Sequence, residues 1–240
     1  MIGIIFDCDG VLVDSESCHF LSWQKALQKR GISWEKENHY PLCGYPGTWI
    51  AQKLCEQFKI RFPEALLADK RNFFQAFQEK GFPAMPFAIK LLRQLHSKRS
   101  SLRIKLAIAS SANKKDILQK LQQHGLCHIF DVIVSGYDDL AEYRDVKGTN
   151  KPKPYIYLHT VKLLELKPTQ CIAIEDSGPG ISAASSAGII TFAIPNEFTQ
   201  NHDFSMATYS LAPNKEINLE AFYQQIIAEI TARDKETLHA

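Results

Sequence analysis

An excess of charge of either sign is missing from this chain: 28 Lys and Arg stand against 26 Asp and Glu, a net charge of +2 over 240 residues. Nucleic acid and anionic membranes are therefore not expected as partners, and whatever the protein binds must be recognised locally. Also missing is any apolar run of about 18 residues, the length a membrane-spanning helix needs. The amino terminus enters an apolar stretch with no cationic region or cleavage site of the kind that marks a secretory leader. A cytoplasmic location and a monomer are the expectations. Cys8, Cys18, Cys43, Cys55, Cys127 and Cys171 are spread singly, with no C-x-x-C pair and no histidine at zinc-ligand spacing, so they read as free thiols. No G-x-G-x-x-G follows the first apolar run, which argues against a dinucleotide-binding site. No internal repeat or low-complexity tract is visible.

What is present begins at Gly3-Ile4-Ile5-Phe6-Asp7-Cys8-Asp9-Gly10-Val11-Leu12-Val13-Asp14. Ile2 to Phe6 is short, rich in isoleucine and without polar alternation, the pattern of a fully buried strand. It stops at two aspartates two apart, followed by a glycine suited to the turn out of a sheet. Carboxylates held that close repel unless a cation or a shared proton relieves them, so the spacing asks for a divalent metal, a shifted pKa, or a solvated Asp-rich turn. Further strands are expected at Lys105–Ala109, Val132–Ser135, Cys171–Glu175 and Ile189–Ile194. Helical patterns at Pro86–Ser97, Lys114–His124, Pro154–Leu166 and Gly178–Ala187 separate them, with Gly125 and Gly188 suited to helix ends. That alternation predicts an α/β fold, a doubly wound parallel sheet covered on both faces. A further strand at Thr208–Leu211 and an amphipathic helix at Leu219–Ala232 end the chain.

Residues 15–81 break the rhythm. They hold helical patterns at Ser15–Lys29, Thr48–Phe58 and Pro63–Glu79 with no convincing strand between them, and read as a helical insert returning through Gly81-Phe82-Pro83. The expected division is a core of residues 1–14 and 82–240 and a small domain of residues 15–81, hinged beside Asp14 and Pro83.

Four segments together resemble the haloacid dehalogenase superfamily of phosphohydrolases. Asp7-Cys8-Asp9-Gly10-Val11 matches its first motif. The strand Ile104–Ser111 ends in Ser110 as the second does, Lys151-Pro152-Lys153-Pro154 has the Lys-Pro-x-Pro form of the third, and Cys171–Ile181 ends a strand in Glu175-Asp176 as the fourth does. The resemblance runs from Ile2 to about Ile194 and is closest to the branch of β-phosphoglucomutase and its phosphatase relatives. It implies a Rossmann-like core, a cap formed by the insert, and Mg2+ as cofactor. It implies Asp7 as the nucleophile and Asp9 as the general acid and base, which requires the pKa of Asp9 to stay above that of Asp7. Asp7, Asp176 and the backbone carbonyl of Asp9 would hold the metal, with Glu175 a ligand or a partner of the ligands. Ser110, with the backbone N–H groups of Ser111 and Ala112 at a helix amino terminus, would receive phosphate oxygens, and Lys151 would neutralise Asp7 and the transferring group. Lys147 and Lys153 compete for the place of Lys151, but Lys153 sits between the prolines and reads as solvated. Cys8 reads as a small buried filler, Asp14 as a helix cap, and Gly178-Pro179-Gly180 as a turn that brings backbone near the metal.

The insert sets specificity. His19 and Trp23, four apart on its first helix, match the pattern Asp-x-x-x-x-His-x-x-x-Trp of β-phosphoglucomutase, which makes His19 a substrate-binding candidate beside ordinary core packing. The loop Leu42–Thr48, with Gly44, corresponds to the substrate-specificity loop. The mutases place an arginine three residues after that glycine to grip a second phosphate, whereas this chain has Gly47, and Lys53, Lys70 and Arg71 are the basic residues nearby. The segment before Lys151, with Tyr143 and Arg144, is longer than the link usual in the family. The expectation is an Mg2+-dependent phosphatase acting on a small phosphorylated metabolite, a sugar or polyol phosphate. A mutase-type phosphotransferase is the alternative, and a non-catalytic phosphate-binding module is the reading from another class.

Overall fold

The apolar runs form β1 (Ile2–Phe6), β2 (Ile104–Ser110), β3 (Val132–Ser135), β4 (Cys171–Glu175), β5 (Ile190–Ala193) and the short β6 (Tyr209–Ser210). In this computed structural model, residues 1–43, 45, 47–146, 148–212 and 218–239 are described, with side chains to 233. All the strands pair in parallel, in the order β3-β2-β1-β4-β5-β6, which is the doubly wound arrangement. Phe6 pairs with Ile108 of β2 and Ile174 of β4, so the carboxyl ends of the three central strands lie side by side.

Alternation along these strands sorts two apolar layers. Ile4, Phe6, Leu106, Ile108, Ile172 and Ile174 face one side. There they meet α5 (Pro86–Ser97), α6 (Lys114–Gln123) and α9 (Leu219–His239) through Leu91, Leu95, Ile117, Leu121, Phe222 and Ile226. The opposite face presents Ile5, Ala107, Ala109 and Ala173 to α7 (Tyr155–Leu164) and α8 (Gly178–Ser186). Its alanines leave room for Tyr157 to lie fully buried against the sheet. A fully buried large side chain of this kind contributes about 1.5–3 kcal/mol.

Between β1 and Pro83 the chain folds into α1 (Ser15–Gln28), α2 (Lys36–His39), α3 (Gly47–Phe58) and α4 (Pro63–Lys80). The short α2 was not expected. Trp23, Leu27, Trp34, Ile50, Leu54 and Leu66 gather in an apolar cluster separate from the two sheet layers, closed on one side by Phe198. The two connections run together: Asp14 N–H donates to the Pro83 carbonyl (2.8 Å), Met85 N–H to that of Leu12 (2.9 Å), and Val13 bridges Ala84 antiparallel. Asp14 caps α1, its Oδ1 accepting from Ser17 N–H at 3.0 Å.

Candidate active site

The site begins where β1 ends. Gly10 turns the chain back with φ of +79°, and a Cβ there would stand 2.1 Å from Asp176 Oδ2, so only glycine lets the first loop pass the fourth. Gly180 does the same for Glu175, whose carboxylate would lie 2.0 Å from an added Cβ. Gly178-Pro179-Gly180, expected both to open a helix and to bring backbone near the metal, is the first turn of α8, capped by Ser177.

Asp7, Ser110, Lys151, Glu175 and Asp176, drawn from four distant parts of the sequence, meet here and are nearly solvent-free. Lys151 Nζ donates to Asp7 Oδ1 (2.5 Å), Glu175 Oε1 (2.6 Å) and the Ala109 carbonyl (2.9 Å), which uses all three of its hydrogens. In this arrangement Lys151 has no hydrogen left to donate, and only its charge is available to a ligand. Lys153, expected to be solvated, is half-exposed and pairs with Asp145 at 3.0 Å. Both oxygens of Glu175 are engaged. Oε1 accepts from Lys151 and the Tyr157 hydroxyl (2.9 Å), and Oε2 from the N–H of Asp176 (3.1 Å) and the Ser177 hydroxyl (3.1 Å). Of the two roles left open for Glu175, that geometry favours holding Lys151 and the Asp176 loop over ligating a metal.

Ligand oxygens of Asp7, Glu175 and Asp176 lie within 4.8 Å of one another. Three carboxylates against one ammonium leave this buried cluster with an excess of negative charge. Burial, against the pull of Lys151, pushes the Asp7 carboxyl up to about 7. Burial and the neighbouring Glu175 push that of Asp176 well up. Lys151 goes the other way from a lone buried lysine: burial would lower its pKa, but Asp7 and Glu175 raise it well above the usual value. An oxygen-only donor set with surplus negative charge fits a hard divalent cation.

Asp9 has a cation partner that the sequence reading did not include. Its Oδ1 pairs at 2.6 Å with Lys120, a buried lysine on α6. Burial works to raise its pKa, but Lys120 outweighs it and the net shift is downward. With no cation in the cluster, Asp7 thus holds its proton more tightly than Asp9, because Asp9 pairs with Lys120 while Asp7 shares Lys151 with Glu175. Lys120 escaped the sequence reading, although it lies between Ile117 and Leu121 on the buried face of its helix, a lysine in an apolar stripe.

Ser110 is buried at the last position of β2, and its Oγ accepts from Ala112 N–H at 3.2 Å. It does not adjoin the helix amino terminus as expected, because Asn113 caps α6. Ser111 is tied to Asn150, donating its hydroxyl to Oδ1 (2.7 Å), and the same oxygen accepts from Lys151 N–H (3.0 Å). Asn150 therefore joins two of the motif segments. Asn196, just beyond β5, bonds Asp176 Oδ2 (2.8 Å) and the Gly10 carbonyl (3.3 Å). A polar residue after a core strand was its only signal.

The remaining candidate residues separate. Cys8 is buried, and burial, then Asp9, push its thiol well up, which suits a filler and not a nucleophile. His19 does not line the polar pocket. Its Nδ1 stands 2.6 Å from Lys70 Nζ and its ring stacks on Phe74 at 4.1 Å. Burial, then Lys70, push its imidazole down to about 3. Trp23 is insert core. Gly44 and Lys147 lie outside the described residues.

A polar pocket of about 200 Å3 opens over Asp7, Asp9, Ser110, Lys151 and Asp176, with Glu16, Cys43 and His202 on its walls. It adjoins a cleft of about 800 Å3 lined by Tyr40, Tyr45, Ile181 and Met206, the two sharing Lys151, Cys43 and His202. Among the described residues no helix is long and apolar enough to cross a membrane.

Comparison with known proteins places this arrangement. The haloacid dehalogenase-like hydrolase family matches residues 4–194. A phosphorylated carbohydrates phosphatase of Thermotoga maritima is 30% identical over 194 residues, covering 79% of this chain and 82% of its own. A fructose-1-phosphate phosphatase of Escherichia coli is 27% identical, covering 78% and 93%. Among solved structures, a putative β-phosphoglucomutase from Thermotoga maritima superposes with a TM-score of 0.71 at 26% identity, over 94% of this chain and 99% of that one. The chain belongs to the haloacid dehalogenase-like hydrolases, in their β-phosphoglucomutase-like branch, and is an enzyme of phosphatase type.

Proposed function

We propose that the protein is a magnesium-dependent phosphomonoesterase that hydrolyses a small phosphorylated metabolite, a sugar or polyol phosphate, through an aspartyl phosphate on Asp7. The observation that carries this reading is the Asp7 carboxylate at the tip of β1, held by Lys151 at 2.5 Å on the floor of a polar pocket of about 200 Å3. Asp7 attacks phosphorus and splits one displacement into two. Asp9 gives a proton to the leaving alkoxide and later takes one from the attacking water, for which it must release Lys120. Ser110 and Ser111 meet the phosphoryl oxygens, and Lys151 offsets their charge. Asp7, Asp176 and the Asp9 carbonyl would hold Mg2+, which supplies positive charge to the acid cluster and the phosphoryl group. The adjoining cleft gives the alcohol portion its space.

The second reading, a mutase, draws on the likeness to the putative β-phosphoglucomutase. Against it stands the insert: Gly47 replaces the expected clamp, Lys53 pairs with Glu56, Lys70 meets His19, and Arg71 is exposed. A missing charge-assisted contact is worth about 1.5–3 kcal/mol, roughly 10- to 150-fold in affinity for a second phosphate. Water should then resolve the intermediate first. With Mg2+ and a panel of phosphorylated metabolites, sugar and polyol phosphates should release inorganic phosphate. Isomerisation of β-glucose 1-phosphate outpacing phosphate release, with a bisphosphate activator present, would overturn the assignment.

A further inference from the structure

Outside the acid cluster on the core, Glu16, His39 and Cys43 bring a carboxylate, an imidazole and a thiol together, with ligand atoms within 4.8 Å of one another. They come from the first turn of α1, the end of α2 and the residue after the 3-10 turn Tyr40–Leu42. His39 Nε2 lies 2.9 Å from Glu16 Oε1, and the Cys43 thiol donates to the His39 carbonyl (3.6 Å). His39 is 1% exposed and Cys43 7%. Glu16 and Cys43 also form part of the polar pocket wall.

This donor set differs in kind from the one on the core. Magnesium takes hard oxygens, as Asp7 and Asp176 offer, whereas sulfur with imidazole and carboxylate is a set that zinc takes. Three protein ligands leave a fourth position for a tetrahedral ion, and two of the three, Glu16 and Cys43, line the polar pocket. His39 Nδ1 is buried with no partner among the described residues, so nothing braces the far side of the ring. Bracing of that kind is worth about 10- to 100-fold in metal affinity, which makes this a reversible site and not a permanent structural one.

We propose that Glu16, His39 and Cys43 form a second metal site, selective for zinc over magnesium, and that filling it slows turnover. The ion takes the Glu16 carboxylate and an imidazole lone pair, and the Cys43 S–H bond breaks as the S–Zn bond forms, releasing one proton to solvent. The open fourth position then holds a phosphate oxygen and delays its departure.

Cobalt reports thiolate ligation directly. Titrating Co2+ into the wild-type protein with Mg2+ in excess should give a near-ultraviolet thiolate-to-cobalt band that saturates at one ion per chain and is bleached by Zn2+. Cys43→Ser should abolish the band, Cys127→Ser, at an exposed thiol, should keep it, and His39→Gln should weaken Co2+ binding by at least about tenfold. No band in the wild type, or a band that survives in Cys43→Ser, overturns the site, and the His39→Gln result tests it should Cys43→Ser fail to fold. Zn2+ should halve phosphate release near its binding constant in the wild type, and His39→Gln should need at least about tenfold more. Zinc binding without slower release would overturn the inhibitory role. The metal-binding arm does not depend on the phosphatase assignment.

Discussion

Asp7 is a buried carboxylate with two acidic neighbours, Glu175 and Asp176, and shares the Lys151 ammonium with one of them. A residue so placed serves charge chemistry better than stability. Replacing it with the near-isosteric Asn should leave the circular dichroism spectrum unchanged and lower phosphate release by at least about 10^3-fold, the scale seen when a nucleophile is removed. Fluoroberyllate should bind the parent and not Asp7→Asn, and covalent label found on Cys8 instead would refute the assignment. Lys120 is the complementary case. Lys120→Met leaves the Asp9 carboxylate without its partner and should lower unfolding stability in urea by about 1–3 kcal/mol, with Lys120→Arg recovering part of it. Equal stability in Lys120→Met would mean the pair does not form in solution. Asp7 and Asp176 were legible in sequence because a strand that stops at an acid leaves the acid at the carboxyl end of the strands, where ligands gather. Lys120 was not, because its partner lies 111 residues away and helical spacing does not say what a buried lysine faces.

Between elements, the contact of α1 with α4 includes His19, Lys70 and Phe74 beside the apolar cluster. His19 has its pKa depressed to about 3 in the fold, while in the unfolded chain it takes up a proton near 6.5. Below that pH the unfolded state binds the proton and the folded state does not, so this group lowers stability as pH falls from about 6.5 toward about 3. Urea midpoints should therefore decline across that window in the wild type and decline less in His19→Gln. Equal slopes would show that His19 titrates normally. At the base of the same helix, Asp14→Ala removes the cap on Ser17 and should cost about 0.5–2 kcal/mol in the same measurement. The helices of the insert were readable to within a residue or two because apolar spacing and proline starts act locally. The exception was α2, whose four residues are too few to show a period.

For the whole molecule, a cation held by the buried acid cluster would couple metal binding to stability. Mg2+ at 100 times its dissociation constant should add about 2.7 kcal/mol if it binds the folded state alone. Asp176→Asn should raise the metal-free melting temperature by relieving repulsion, and should lose most of the Mg2+-dependent increase. A variant that melts lower without metal and still responds fully to Mg2+ would place the cation elsewhere. The sequence alone carries the parallel sheet, the helical insert and the four motif segments, since strand burial, turn glycines and helix starts depend on neighbours in the chain. It could not decide which cation serves which acid, that Glu175 spends both oxygens on protein donors, or that His19 turns to Lys70. Nor could it bring Cys43 and His39 to Glu16, two dozen residues earlier, in a chain whose cysteines show no metal spacing. Those outcomes depend on distances between residues far apart in the chain, and only the packing of the insert against the sheet ends sets them.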